Sequence, residues 1–401
     1  MNSRNLSFEQ RVNADPSLVY HAFTNATTLR DFFCNIATVD PKPGGRIYMA
    51  WEAGYYTAGL FTQLEENQKV GFSWLGRDDP GPTEVEILLK PLYGGTIVRV
   101  IHKGLGIGEA WDFTAQEFEK GWNNSLENLA SILETGEDLR FVRRPMMGIF
   151  YGDFTKETAK EIGVPVSEGV RLGGVGEGMS AQAAGLQKDD VLVELDGKSV
   201  ISWNDLGPIL QSRRAGDQVD VTFYRGTELK TIKMTLGKRP IPEIPSTADR
   251  FSELMKVNYG KNIIQLDQVF QGVTDEMASS KRGPDEWNPK EVLAHLILGE
   301  RFNVGFVAEI LSGFERWADD FGGNENTQIK GMLAAYPTLD KLREELKNAF
   351  TVVTVMLASL PGDFPQKNKA AYWRMAYNFL QPDYHFQEHL EQIKNALESG
   401  K

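Results

Sequence analysis

The chain has 401 residues, of which 41% are hydrophobic and 24% are charged, a composition typical of a globular protein with more than one core. Acidic residues outnumber basic ones by 55 to 43, and the resulting net charge of −12 argues against a nucleic-acid partner. No apolar run is long enough to cross a bilayer, so a membrane partner is not expected, and the first residues lack the apolar segment of a secretory signal.

The chain contains a single cysteine, Cys34, which excludes an internal disulfide and a thiolate metal cluster. We expect Cys34 to be a small buried hydrophobic residue. A cytoplasmic location is expected from the missing signal and membrane segments.

Two stretches predict boundaries between folded modules. A helical pattern gives way to a strand-like one around 138–145, and the segment 238–246 holds three prolines, which favour an extended linker. The sequence therefore predicts three domains, at residues 1–138, 141–238 and 247–401.

The first module combines strand and helix patterns. Asp15 followed by Pro16 predicts a capped helix start, and alternating apolar residues near 84–89 predict a strand. Towards the end of the module, apolar residues recur at steps of three and four, which predicts one buried face of a long helix. These residues are Phe118, Trp122, Leu126, Leu129 and Leu133.

The segments NADPSLVYHAF, PGGRIYMAW and GWNNSLENL resemble the START-like (SRPBCC) helix-grip superfamily, in the branch of the activators of the Hsp90 ATPase. The resemblance implies an α+β domain in which an antiparallel sheet wraps a long helix and leaves a cavity for a small apolar ligand. An alternative is that the aromatic residues of this module only fill its core. The candidate pocket residues are Trp51, Tyr56, Phe72, Trp74, Trp111 and Trp122.

The string EGVRLGGVGEGMSAQAAGL in the second module resembles the PDZ domains of HtrA-type bacterial proteins, which implies a mainly-β fold. Asp196-Gly197 predicts a tight hairpin, and the segment 203–212 predicts the helix beside the peptide groove. Asp189-Asp190 stands where the family usually has Gly-Asp. No serine-protease motif precedes the module.

In PDZ domains a peptide adds as an extra strand, and its C-terminal carboxylate is held by backbone amides of a short loop. The resemblance places that loop at Met147, Gly148, Ile149 and Phe150. A glycine in such a loop allows the close approach of an anion. An alternative is a PDZ-like spacer that binds no peptide.

The third module has no strand pattern. Four helical stretches, at 247–270, 287–313, 338–360 and 382–399, predict an all-α up-down four-helix bundle. Asn288 followed by Pro289 predicts the cap of the second helix.

Three of the five histidines, His295, His385 and His389, lie in this module. His385 and His389 are four residues apart and project from one face of a helix, while His295 lies in an apolar run that points into the bundle. Buried unpaired imidazoles are costly, and a divalent metal would satisfy them. On spacing alone, however, a salt-bridged surface face is as plausible as a ligand pair.

The segments WNPKEVLAHLILGERF and DYHFQEHLEQI resemble the DinB-like superfamily, in which one histidine on the second helix and an H-x-x-x-H pair on the fourth bind a metal. The resemblance implies zinc, nickel or iron at His295, His385 and His389. Glu291, one turn before His295, is either an acceptor that orients the imidazole or an ordinary charge at a helix N-terminus.

Two functions from different classes follow. In the first, the chain is a binding or adaptor protein with an apolar pocket, a peptide groove and a metal-stabilised bundle. In the second, which the DinB-like resemblance implies, it is a metal-dependent transferase or isomerase that uses a thiol. The thiol would come from a small-molecule cosubstrate, because the module itself has no cysteine. A role as a chaperone cofactor rests on the likeness of the first module alone. Whether the chain is an enzyme is left open.

Overall fold

The computed structural model describes residues 3–51, 54–211, 213–281, 283, 286–312 and 325–398. Contacts divide the described chain into two compact units. The first unit is formed from residues of 1–49, 57–137 and 242–401, and the second from residues of 50–56 and 138–241. The first and third modules predicted from the sequence therefore belong to one unit.

In the part of the chain that the structure describes, the first module contains a seven-stranded sheet with the order β1-β7-β6-β5-β4-β3-β2, in which the neighbours from β1 to β4 pair antiparallel. The alternating residues Val85, Ile87 and Leu89 are buried on one face, as their period of two predicts. Cys34 is also buried. The strands are β1 (Arg4–Val12), β2 (Ile36–Val39), β3 (Arg46–Ala50), β4 (Tyr56–Glu65), β5 (Lys69–Gly76), β6 (Thr83–Leu92) and β7 (Gly95–Leu105).

Three helices accompany this sheet: α1 (Pro16–Thr24), α2 (Ala26–Phe32) and α3 (Glu109–Thr135). The Asp15 side chain accepts a hydrogen bond from the Ser17 amide at the start of α1, which confirms the predicted cap. The long helix α3 buries Phe118, Trp122 and Leu126. The predicted combination of an antiparallel sheet and a long C-terminal helix is confirmed.

The second unit contains, within the described residues, a six-stranded antiparallel sheet with the order β13-β12-β10-β9-β8, in which β11 pairs with β10. Asp196 and Gly197 both have positive φ angles of 54° and 74°, which confirms the predicted tight hairpin between β10 and β11. The strands are β8 (Ile149–Gly152), β9 (Val170–Val175), β10 (Val191–Leu195), β11 (Lys198–Ser199), β12 (Gln218–Arg225) and β13 (Glu228–Thr235).

The helices of this unit are short: α4 (Leu139–Val142), α5 (Lys156–Glu161), α6 (Ser180–Ala183) and α7 (Leu206–Gln211). A 3₁₀ turn at Trp203–Asp205 leads into α7, because Ser202 and Asp205 form a capping box. The predicted groove helix is therefore present and begins with this turn.

The helical module contains helices at all four predicted places, and the structure adds further ones. Helix α8 contacts α12 and α15, and helix α10 contacts the same two helices, so the four predicted helices touch in a ring. The helices are α8 (Ala248–Val269), α9 (Asp275–Ser279), α10 (Pro289–Leu311), α11 (Glu325–Ala335), α12 (Leu339–Ala358), α13 (Phe364–Lys367), α14 (Lys369–Leu380) and α15 (Tyr384–Glu398). No helix in the described part of the chain is long and apolar enough to cross a membrane.

Helix α14 joins the helical module to the first module. Its Arg374 forms an ion pair with Asp31 at 2.5 Å, and both side chains are largely buried. Lys369 donates hydrogen bonds to the carbonyl oxygens of Leu133 and Glu134, both at 3.0 Å, in the last turn of α3. A cation at this end of a helix is favoured by the exposed carbonyls and the helix dipole.

Gly136, which ends α3, provides a test of this contact. Its φ is 83°, and a Cβ atom built on it would lie 2.3 Å from the carbonyl oxygen of Lys369. We expect Gly136→Ala to lower the free energy of unfolding of the first unit by about 2 kcal/mol, because both the left-handed backbone and the neighbouring backbone resist a side chain.

The matched control for Gly136→Ala is Gly121→Ala in the middle of the same helix, where a Cβ meets nothing within 4 Å. This change should instead stabilise the helix by about 0.5–1 kcal/mol. Calorimetric unfolding of both variants is the measurement, and equal effects would contradict the close approach of α14 to Gly136.

Candidate metal centre and peptide groove

Three histidines converge on one point of the helical module. His295 lies in the second turn of α10, and His385 and His389 lie one turn apart on α15, which contacts α10. Their ligand atoms all lie within 4.8 Å of one another. His385 is exposed, whereas His295 and His389 are half-buried, so the centre opens to solvent on the side of His385.

The capped start of α10 fixes the position of His295. Asn288 accepts a hydrogen bond from the Glu291 amide, and the Glu291 carboxylate accepts one from the Asn288 amide at 2.8 Å. This capping box confirms the predicted cap and assigns Glu291 to it. Glu291 also forms an ion pair with Lys281 at 3.0 Å. These contacts favour its role in the helix cap over the alternative in which it orients the His295 imidazole.

The orienting acceptors are residues that the sequence did not predict. His295 Nδ1 lies 2.5 Å from Glu325 Oε1, and His389 Nδ1 lies 2.8 Å from Gln392 Oε1. Gln392 follows His389 by three residues on one helix face, a spacing that could have indicated it. Glu325 is the first residue of α11. No local sequence pattern predicts that this short helix lies beside His295. Trp287 completes one wall, with its ring 5.1 Å from that of His295.

The three imidazoles share too few protons for every Nε2 lone pair to accept a hydrogen bond. With their Nδ1 protons donated to Glu325 and Gln392, neutral His295 and His389 carry lone pairs on Nε2. These two atoms lie 3.0 Å and 3.1 Å from His385 Nε2, which has at most one proton to donate. At least one lone pair is therefore left facing other nitrogen atoms, an arrangement that a cation would satisfy.

The pKa values of His385 and His295 favour the neutral imidazole. Partial burial and the neighbouring imidazoles of His389 and His295 lower the pKa of His385 to about 4. Burial also lowers the pKa of His295, with His389 acting in the same direction and Glu325 in the opposite one. Neutral imidazole is the form in which histidine binds a metal.

The loop before β8 has the features of an anion-binding nest. The carbonyl oxygens of Met147 and Gly148 accept hydrogen bonds from Ala181 and Gly176 at 2.8 Å and 2.9 Å. The amides of Met147 and Gly148, by contrast, donate to no residue that the structure describes. Gly148 has a φ of 78°, in the left-handed region that favours glycine.

The strand that follows this loop is the edge of the sheet. In the described sheet β8, which begins with Ile149 and Phe150, pairs only with β9. Ile149 packs on the apolar cluster that includes Leu206 and Ile209 of α7, so β8 and α7 share an apolar floor. An edge strand beside a helix is the geometry that strand addition requires.

The aromatic candidates of the first module lie in different places. Phe72, Trp74 and Trp122 are buried, with the Trp74 ring 6.3 Å from Phe72 and 6.1 Å from Trp122, and Phe33 stacks on Trp122 at 4.9 Å. This mutual packing is what the core-filling alternative expects. A ligand cavity among these residues stays a prediction.

The other three candidates are partly exposed. Trp111 is half-buried near the start of α3, and a Cβ on Gly106 would lie 2.3 Å from its Nε1 atom. Tyr56 is 43% exposed, and the half-buried Trp51 has its ring 5.5 Å from that of Tyr55. Contacts group Trp51 and Tyr56 with the second compact unit rather than the first.

Family models match two parts of the chain. Residues 13–134 match the model described as activator of Hsp90 ATPase homolog 1-like protein, and residues 145–236 match that of the PDZ domain. The chain contains an Hsp90-activator-like domain followed by a PDZ domain. These matches confirm the two resemblances inferred for the first and second modules.

Curated relatives are HtrA-type proteins. A protein of Marinomonas sp. named "Probable periplasmic serine endoprotease DegP-like" is 31% identical over 99 residues, which are 25% of this chain and 21% of that protein. The serine protease Do-like HtrA of Lactococcus lactis subsp. cremoris is 27% identical over 158 residues, covering 36% of this chain and 38% of the relative. The chain thus spans about a fifth to two-fifths of the length of these relatives.

Solved structures resemble a third of the chain. The Aha1 dimer from Colwellia psychrerythraea is 24% identical, with 33% of this chain and 96% of that chain covered and a TM-score of 0.29. A Mesorhizobium loti protein is 20% identical, with 33% and 97% covered and a TM-score of 0.30. Scores of this size carry no argument about function.

Proposed function

We propose that the chain is a multidomain binding protein whose helical module holds a divalent metal and whose PDZ domain receives a peptide C-terminus. The observation that carries the metal proposal is the convergence of three imidazole Nε2 atoms with too few protons to satisfy one another. The Hsp90-activator-like and PDZ domains support the general assignment to binding.

The histidine pattern supports a DinB-like four-helix bundle as the metal-binding fold. In this proposal α8, α10, α12 and α15 are the bundle helices, and His295, His385 and His389 are the ligands. The donor set suits zinc, nickel or iron, because three neutral imidazoles are ordinary ligands for these ions. When bound, such a metal would act as a Lewis acid towards a ligand in a remaining position. Glu325 and Gln392 would hold the imidazoles in the required tautomer.

Metal content measured by mass spectrometry on tag-free protein tests this site. Protein expressed with zinc, nickel and iron should carry about one metal ion per chain, and His295→Ala should remove it. His21→Ala is the matched control, because His21 is an exposed histidine in the first module. No metal in the supplemented protein, or equal loss in both variants, would contradict the proposal.

The peptide proposal rests on the amides of Met147 and Gly148, which donate to no described residue, beside the edge strand β8. We expect a pool of random heptapeptides with free C-terminal carboxylates to bind, and amidation of the C-terminus to weaken binding by at least about tenfold, since it removes the charged acceptor. Gly148→Ala should weaken binding as well, because its Cβ would lie 2.3 Å from Met179 Cβ. Fluorescence titration is the measurement, and equal binding of acid and amide pools would favour the spacer alternative.

A second function, a metal-dependent transferase or isomerase with a small-molecule thiol, is favoured by one observation. His385 lines a cavity of about 240 Å³, so a cosubstrate could reach the side of the cluster that faces it. Thiol-dependent turnover of small electrophiles, lost in His295→Ala, would support this function. The apolar ligand of the first module and the cytoplasmic location stay predictions.

A further inference from the structure

The cavity beside His385 has walls of two kinds. Leu296, Phe302, Phe350 and Phe386 give it an apolar lining, and Phe302 is 75% exposed. Polar groups, Glu300 and Asp383 among them, line the same space. Its volume of about 240 Å³ is just below the roughly 300–1,000 Å³ of sites for drug-sized molecules, so its ligand is small.

Glu300 presents one satisfied and one unsatisfied oxygen. Its Oε2 accepts hydrogen bonds from the Tyr259 hydroxyl at 2.6 Å and from Asn303 Nδ2 at 3.1 Å. Its Oε1 has no partner among the described residues. Tyr259 is held in turn by stacking on Phe350, with the ring centroids 4.0 Å apart, so the carboxyl group is fixed in place.

No described cation neutralises the two acidic groups. Within the described residues, the Asp383 carboxylate accepts hydrogen bonds from two neutral donors, Asn262 Nδ2 at 2.9 Å and the Phe386 amide at 3.1 Å. Neither Glu300 nor Asp383 has an ion pair with a residue that the structure describes. Burial raises the pKa of Glu300, and the nearby Asp383 acts in the same direction.

We propose that this cavity binds a small organic ammonium ion, with its charged nitrogen at Glu300 Oε1 and its apolar body against the aromatic lining. An ammonium group supplies the hydrogen-bond donor and the positive charge that the acidic end lacks. Aromatic rings also attract cations, so the presence of Phe302 and Phe386 in the lining favours the same ligand over a neutral one. The proposal goes beyond the metal site and does not require it.

Calorimetric titration of the full chain with phenethylammonium chloride tests the proposal, with 2-phenylethanol as the neutral analogue of the same size. The titrations are made with metal-free and metal-loaded protein, so that a failed metal site does not affect the result. We expect binding of the amine in the metal-free protein and much weaker binding of the alcohol.

Two variants localise the binding. Glu300→Gln keeps one oxygen that can accept from both Tyr259 and Asn303 but removes the charge, and it should weaken amine binding by at least about tenfold. Gly299→Leu should abolish it by filling the cavity, since Gly299 lines this space and a Cβ there meets nothing within 4 Å. Glu344→Gln removes the same charge from an exposed position on α12 and should leave binding unchanged.

The titrations of the variants distinguish binding in this cavity from binding elsewhere. Amine binding that is lost in Gly299→Leu and weakened in Glu300→Gln, but kept in Glu344→Gln, supports the proposal. Equal binding of amine and alcohol, or amine binding unaffected by Gly299→Leu, overturns it. If Glu300→Gln does not fold, the Gly299→Leu result decides. Loss of metal in the metal-content experiment has no bearing on these results.

Discussion

Asp190→Asn is expected to lower the free energy of unfolding of the PDZ domain by about 2–4 kcal/mol. The Asp190 side chain is 1% exposed, and it accepts hydrogen bonds from Nε and Nη2 of Arg225, both at 2.7 Å. It also accepts one from the Gln187 amide at 2.8 Å. An asparagine has the same shape but only one accepting oxygen, so it cannot accept both hydrogen bonds from the guanidinium. The positive charge of Arg225 at the edge of the core therefore loses its ionic partner.

The neighbouring residue supplies the control. Asp189 pairs with Arg171 at 2.5 Å but is 40% exposed, so Asp189→Asn should cost less than about 1 kcal/mol. Asparagine also tolerates the positive φ of 70° at this position. Hydrogen exchange of the β10 and β12 amides in the full chain measures both effects locally. Equal costs for the two substitutions would show that the burial of Asp190 does not strengthen its ion pair.

Asp189 and Asp190 illustrate which contacts a local sequence pattern predicts and which it does not. The departure from the usual Gly-Asp of the family was visible, and the positive φ of Asp189 explains why a glycine is usual there. The partner of Asp190, however, lies 35 residues away on β12. A pairing over that distance depends on the strand order of the sheet, which no local pattern contains.

The fold was predictable where periodicity is strong. The four helices of the third module and the Asp196-Gly197 hairpin of the second lie where their apolar spacing and turn residues predicted them. The helices α11 and α14 were not predicted. Helix α14 has the larger effect on the architecture, because its Arg374 and Lys369 bind residues of the first module. These contacts join into one unit two modules that the sequence predicts to be separate.

The candidate metal centre was predictable in part for a related reason. His385 and His389 share a helix face by spacing alone, the apolar run around His295 predicts that it points into the bundle, and the resemblance implies that all three bind one metal. The orienting groups divide by distance along the chain: Gln392 is local, whereas Glu325 reaches His295 from another helix. The acidic cavity at Glu300 was not foreseen, because Tyr259 and Glu300 lie on two different helices and Asp383 lies just before a third.

His102 makes the first module sensitive to acid. It is fully buried, and its Nδ1 accepts a hydrogen bond from Trp122 Nε1 at 3.2 Å, so the ring proton is on Nε2 and is donated to Thr83 Oγ1 at 2.8 Å. Protonation would place a second donor against Trp122. Burial lowers the pKa of His102 to about 3.

The sign of the effect follows from that depressed pKa. Between about pH 6.5 and pH 3, His102 is protonated in the unfolded chain but stays neutral in the folded one. The free energy of unfolding therefore decreases as the pH falls from 6.5 towards 3. Between pH 6.5 and 4.5 the loss should be about 2–3 kcal/mol from this residue. Hydrogen exchange of the β6 and β7 amides is the measurement, with His102→Gln as the comparison. The variant should be less stable at pH 7 yet lose less stability on acidification, because it has no proton to take up. Parallel losses in the two proteins would mean that other groups cause the acid sensitivity of this domain.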